Sequence, residues 1–211
     1  MTIPDRSPVQ VTGTSAAVNA LWARGLADFA EMSDWLGDAG RARWASGLGA
    51  SVRAGFDVFW DPERRVYRDH AVDGTVRDAV SEHTAATAVC AGLVPGERHA
   101  LIRDFLLDHR DARLTRSPVQ AHGSDADGAP SAIALFAPPE PEPDWDVRTT
   151  VVGAQPFYRY IVHDALALLG AADRIAELCR DCDRLLAIGP SGTACALRAR
   201  CSSTSIFRGR S

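Results

Sequence analysis

One plan recurs three times along the chain, in Thr14–Asp38, Ser81–Glu97 and Gly153–Asp173: a polar and aromatic cluster, an apolar helical stretch, then a Gly-containing turn. A helix with one apolar stripe must bury it, and a short turn forces the next helix to run back alongside. The three repeats therefore predict an all-α fold of antiparallel helical hairpins. Each hairpin presents polar residues at the start of its first helix. That arrangement suggests part of an (α/α)6 toroid around a pocket, three hairpins of the six that a full ring needs.

Residues 1–13 read as a loose leader, with two prolines and a glycine. Thr14 or Ser15 can cap the first helix, whose stripe runs through Val18, Leu21, Trp22, Gly25, Leu26, Phe29 and Leu36. The second helix carries Trp44, Leu48, Val52, Phe56 and Phe59 and stops at Asp61-Pro62. Asp73-Gly74 between short extended runs predicts a small β-hairpin near 65–77. Ser81 can cap the third helix, with Ala86, Val89, Cys90 and Leu93 on its inner side. The fourth helix spans about 97–109, the fifth carries Phe157, Ile161, Leu166 and Leu169, and the sixth Ile175, Leu178, Cys179, Cys182, Leu185 and Leu186.

The helical domain is expected over 14–193, interrupted by a long irregular segment at 116–150. Its PPEPEPDWD run suits either a disordered insert or a loop over the pocket mouth anchored by Trp145. From Ala194 to Ser211 the chain has four arginines, no acid and no helical period, and reads as a disordered tail.

Composition narrows the function classes. A formal net charge of −4 leaves no basic footprint for nucleic acid. No run of about 18 apolar residues suggests a membrane span. Five cysteines at irregular spacing do not form a secreted disulfide framework, and no secretory pattern opens the chain, so the expected compartment is cytoplasmic. Every basic residue except histidine is arginine; lysine is absent.

The chemistry-bearing residues are then few. Cys179, Cys182, Cys195 and Cys201 can be arranged as a four-cysteine zinc site, but Cys179 and Cys182 lie on an apolar stripe, where cysteine serves as a small hydrophobe. No metal or other cofactor is expected. Phosphate-loop, dinucleotide and nucleophile-elbow motifs are absent. Carboxylates near the hairpin mouths are Asp61, Glu63, Asp69, Glu82 and Asp164. Glycoside hydrolysis needs two carboxylates, yet spacing singles out no pair.

VNALWARGLADFAEMSDWLGDAG, FWDPERRVYRD, SEHTAATAVCAGLVPGER and QPFYRYIVHDALALLGAADRIAELCRD resemble, in order and spacing, successive segments of the (α/α)6 catalytic domain of bacterial α-L-rhamnosidases. The likeness runs from about Val9 to Thr193 and extends to other six-hairpin glycosidases. It implies an inverting glycosidase acting on terminal rhamnosides. It also implies sugar-lining groups at the helix starts: Asn19 and Trp22, then Glu82 and His83, then Gln155, Phe157 and Tyr158.

The family's acidic motif before the first hairpin has no counterpart here. Its base should follow a Gly-x-x-Thr turn like Gly189–Thr193, where this chain reads Ala194-Cys195-Ala196-Leu197 without a carboxylate. No residue is therefore assigned a catalytic role, and the tail from Ala194 is expected to be foreign to the domain. The competing class is a non-catalytic helical module that binds a glycan or a protein. With half a ring, the flanks are expected to be apolar and prone to self-association.

Overall fold

The computed structural model describes residues 9, 12–108, 113–114, 146–154 and 157–180. By internal contacts the chain divides into Met1–Ala172 and Asp173–Ser211. The described protein is mostly helical with small sheets. Expectations for 116–145, for 181–193 and for the tail 194–211 lie outside the described residues.

In the first unit, β1 (Thr14–Ser15) leads directly into α1 (Ala16–Trp35), and α2 (Ala39–Phe56) runs back along it. Ser15 caps α1: its backbone is extended and its Oγ accepts the Val18 N–H at 3.4 Å. Gly37, at φ +74°, makes the turn, and Asp38 caps α2 by accepting the Arg41 N–H at 3.0 Å. Leu26 and Ala30 pack on Ala45, flanked by Phe29 and Val52.

The buried face of α1 departs from the sequence expectation. Ala16, Ala17, Ala20, Ala23, Leu26, Ala30 and Ser33 are buried, whereas Leu21, Trp22 and Leu36 are exposed. Helical periodicity finds an apolar stripe, but the face that packs is the one whose small side chains admit a neighbouring helix.

After α2 and a short 3-10 turn (Asp57–Phe59), the chain makes two tight hairpins where the sequence suggested one. β2 (Trp60–Asp61) pairs antiparallel with β3 (Val66–Tyr67). Asp61 Oδ1 ties their turn by accepting the Glu63 and Arg64 N–H groups at 3.0 and 3.1 Å. β4 (His70–Val72) and β5 (Thr75–Val76) are joined by Asp73 and Gly74, both left-handed at φ 49° and 75°, as a two-residue hairpin turn requires. β1 pairs with β4 on its other edge, completing a three-stranded sheet.

β6 (Val80–Ser81) runs straight into α3 (Glu82–Cys90), and α4 (His99–Asp108) follows. β7 (Arg113–Leu114) and β6 both pair in parallel with β8 (Val151–Val152), which precedes α5 (Arg159–Leu168). α1 packs on α2 and α3, and α3 packs on α4 and α5. The first helices of the three hairpins are thus neighbours. Glu82 through Val89 are all buried, so α3 has no solvated face within that span.

In the second unit, described to residue 180, a helix occupies 175–180, with an Arg174–Glu177 ion pair at 3.0 Å. Cys179, expected on an apolar stripe, is exposed. Among the described residues no helix is long and apolar enough to cross a membrane.

Candidate functional site at the helix starts

The starts of α1, α3 and α5 converge through a set of buried polar contacts. Asp69 joins the first two. Its carbonyl accepts the Ala16 N–H at 2.7 Å, and its own N–H donates to the Ala79 carbonyl at 2.8 Å. Its carboxylate Oδ1 accepts the Ser81 hydroxyl at 2.7 Å and the Thr84 hydroxyl at 2.6 Å. Ser81 Oγ in turn accepts the Thr84 N–H, capping α3.

Asp69 Oδ2 is buried and has no hydrogen-bond partner among the described residues. Burial pushes this carboxyl above the usual carboxylate range, although the Thr84 and Ser81 hydroxyls and nearby His83 pull the other way.

Glu82 joins α3 to α5. Its Oε2 accepts the Ala154 N–H at 2.7 Å, and its Oε1 meets Arg159 Nη1 at 3.2 Å. The carboxylate sits in the first turn of α3, where the helix dipole favours negative charge. It is fully buried, and a buried carboxylate of this kind persists only when paired and hydrogen-bonded. One turn further along, the Thr87 hydroxyl lies 2.6 Å from both the His83 carbonyl and the Tyr158 hydroxyl. The His83 ring packs on Tyr158 with centroids 4.4 Å apart at 39°.

Of the residues expected to line a sugar site, the fold brings Glu82, His83 and Tyr158 into this one cluster. All three are buried. Phe157 stands just before α5 with its side chain 64% exposed. Asn19 sits one turn into α1 and donates from Nδ2 to the Ser15 carbonyl at 2.7 Å. It lines an open cleft of ≈ 360 Å³ with Ser51, Val52, Phe56 and the Gly74 turn. Trp22 lies on the exposed apolar stripe of α1, and Gln155 lies outside the described residues.

The candidate carboxylates separate in the same way. Asp61 is buried against Arg68 at 2.9 Å. Burial works against its charge, but the Arg64 N–H, the Arg68 guanidinium and the Glu63 N–H together hold its carboxyl below the usual range. Glu63 and Asp164 are exposed. Arg159 and Thr87 complete the cluster without having been singled out by sequence. The only signal for Thr87 was its place three residues after Thr84 in an otherwise apolar run; for Arg159 there was none beyond its aromatic neighbours.

A second polar centre lies at the start of α4. Arg98 pairs with Asp57, donates to the Tyr67 hydroxyl at 3.1 Å and stacks 4.2 Å above the Trp60 ring. This knits the β2–β3 hairpin to α4 beside an open cleft of ≈ 390 Å³. Among the described residues no group of three or more His, Cys, Asp or Glu side chains could hold a metal ion.

Compared with known proteins, the sequence matches no family model and no curated protein.

Proposed function

We propose that this chain is the helical, sugar-recognising part of an α-L-rhamnosidase-like glycoside hydrolase, and that it takes a terminal rhamnoside at the end where α1, α3 and α5 begin. The observation that carries the reading is the convergence of those three helix starts on one buried network. Asp69 binds α1 to α3, and Glu82 and Thr87 bind α3 to α5. A rigid floor of this kind is what a sugar site needs beneath it, because a positioned ring demands side chains locked by their own neighbours.

Next to Tyr158 in the chain, the exposed Phe157 offers an aromatic face for the apolar C–H face of a sugar. The resemblance of the four quoted segments to rhamnosidases supplies the sugar and the inverting stereochemistry.

Turnover is a separate matter. Inverting hydrolysis needs a protonated acid and a base carboxylate on opposite faces of the sugar. Asp61 and Glu82 are committed to arginines and backbone N–H groups, and Asp69 is only 1% exposed. These commitments favour, as the second reading, a module that binds the glycan without cleaving it.

The test is titration of the chain with methyl α-L-rhamnoside, alongside an assay on an aryl α-L-rhamnoside. Saturable binding that weakens in Phe157→Ala supports the recognition reading. Hydrolysis abolished by one carboxylate substitution would select the enzyme over the module. No binding, with equal indifference to other sugars, would overturn both.

A further inference from the structure

One carboxylate fastens the chain on both sides of Phe157. Glu82 Oε2 accepts the N–H of Ala154, which precedes Phe157, and Glu82 Oε1 pairs with Arg159, which follows it. Tyr158, the next residue after Phe157, is held twice more on the same helix. Its ring lies on His83 and its hydroxyl on the Thr87 hydroxyl. Its carbonyl accepts the Ile161 N–H at 3.1 Å, which starts the first turn of α5. Glu82, His83 and Thr87 are all buried on α3, whereas Phe157 is exposed.

Stability alone does not account for an ion pair at this position. A carboxylate and a guanidinium buried together return little over apolar side chains of the same volume, because desolvation offsets their attraction. What the carboxylate adds is direction: two oxygens, each meeting a donor from a different side of Phe157. A backbone fixed in this way does not have to be ordered when a ligand arrives, and the ordering cost is not subtracted from affinity.

We propose that Glu82 is a positioning residue for Phe157. Together with the Thr87–Tyr158 contact, it holds the aromatic side chain where a sugar ring can stack on it. The consequence for affinity rests on the recognition of a rhamnoside at Phe157; the ordering of Phe157 does not.

The two are therefore measured separately. Without sugar, the ¹⁵N order parameter of the Phe157 amide should be about 0.85 in wild type and fall toward about 0.6 in Glu82→Gln, with the amides of α1 and α2 unchanged. Tyr158→Phe loosens the adjacent contact with less risk to folding, and should lower the same order parameter. With sugar, methyl α-L-rhamnoside should bind Glu82→Gln about tenfold more weakly than wild type. Because Glu82 acts through Phe157, that loss should disappear when Phe157 is already alanine.

A Phe157 amide that is mobile in wild type, or unchanged in both variants, would overturn the positioning role. So would a Glu82→Gln loss of affinity that adds in full to that of Phe157→Ala. Absence of sugar binding by wild type would instead overturn the recognition reading, and the amide measurement would still decide the role of Glu82.

Discussion

Replacing Asp69 tests whether the helix starts are held together by one carboxylate. Asp69→Ala removes the acceptor for two buried hydroxyls, those of Ser81 and Thr84. Ser81 Oγ still accepts the Thr84 N–H, but both hydroxyl protons lose their carboxylate acceptor. Hydrogen bonds to a charged group contribute about 1.5–3 kcal/mol each, and the vacated volume adds to the cost, giving about 3–5 kcal/mol. At about 2–4 °C per kcal/mol for a chain of this size, the thermal midpoint should fall by about 10 °C.

Asp69→Asn keeps the accepting oxygen and should cost about 1–2 kcal/mol, chiefly from an amide N–H₂ placed where Oδ2 finds no partner among the described residues. The two proteins should also differ in pH dependence. Burial raises the carboxyl in the folded state, so the folded protein holds its proton more firmly than the unfolded chain. The cost of ionising it is full above the folded pKa and vanishes as pH falls through that value toward the ordinary carboxylate range. Wild type should therefore gain stability over Asp69→Asn on acidification from neutral pH toward about 4. Melts of the three proteins followed by circular dichroism decide the matter. An Asp69→Ala midpoint within about 2 °C of wild type, or a gap that narrows on acidification, would refute the reasoning.

Other substitutions separate the remaining contacts. Arg159→Leu takes the guanidinium from the buried Glu82 carboxylate, which keeps the Ala154 N–H, and should cost about 3 kcal/mol by chemical denaturation, with less than additive loss when Glu82→Leu is added. Tyr158→Phe removes the hydroxyl from Thr87, which keeps its bond to the His83 carbonyl, and should cost about 1–2 kcal/mol in the same assay. Gly13→Ala would put a Cβ 2.2 Å from the Ala71 carbonyl oxygen at φ +76°. It should destabilise by about 2 kcal/mol or more and loosen amide-exchange protection of the β1–β4 pairing.

What the sequence made legible was local. Ser15 and Ser81 cap the helices they were expected to cap, and Asp73-Gly74 turns a hairpin, because each signal acts within a few residues. The apolar period located α1 but not its packing face. Leu21 and Trp22 looked like core, whereas the buried face of α1 is the one made mostly of alanines. Periodicity reports amphipathicity and cannot say which side meets a neighbour.

The site was half legible. Glu82, His83 and Tyr158 were named from their positions at helix starts, and the fold gathers them. Their joint burial depends on contacts more than 70 residues apart in sequence, such as Thr87 with Tyr158 and Glu82 with Ala154, which no short-range pattern encodes. Asp69 stood among the candidate carboxylates for its place near a hairpin mouth. Its bonds to two hydroxyls on the next helix emerge only from the folded chain.

The most direct test of rhamnoside recognition at the helix starts is a crystal structure of the chain soaked in methyl α-L-rhamnoside at about 10 mM, above a weak millimolar affinity. The account predicts density for one sugar ring beside Phe157, at the end where α1, α3 and α5 begin. A sugar bound at the opposite end of those helices, or none at that concentration, would contradict it.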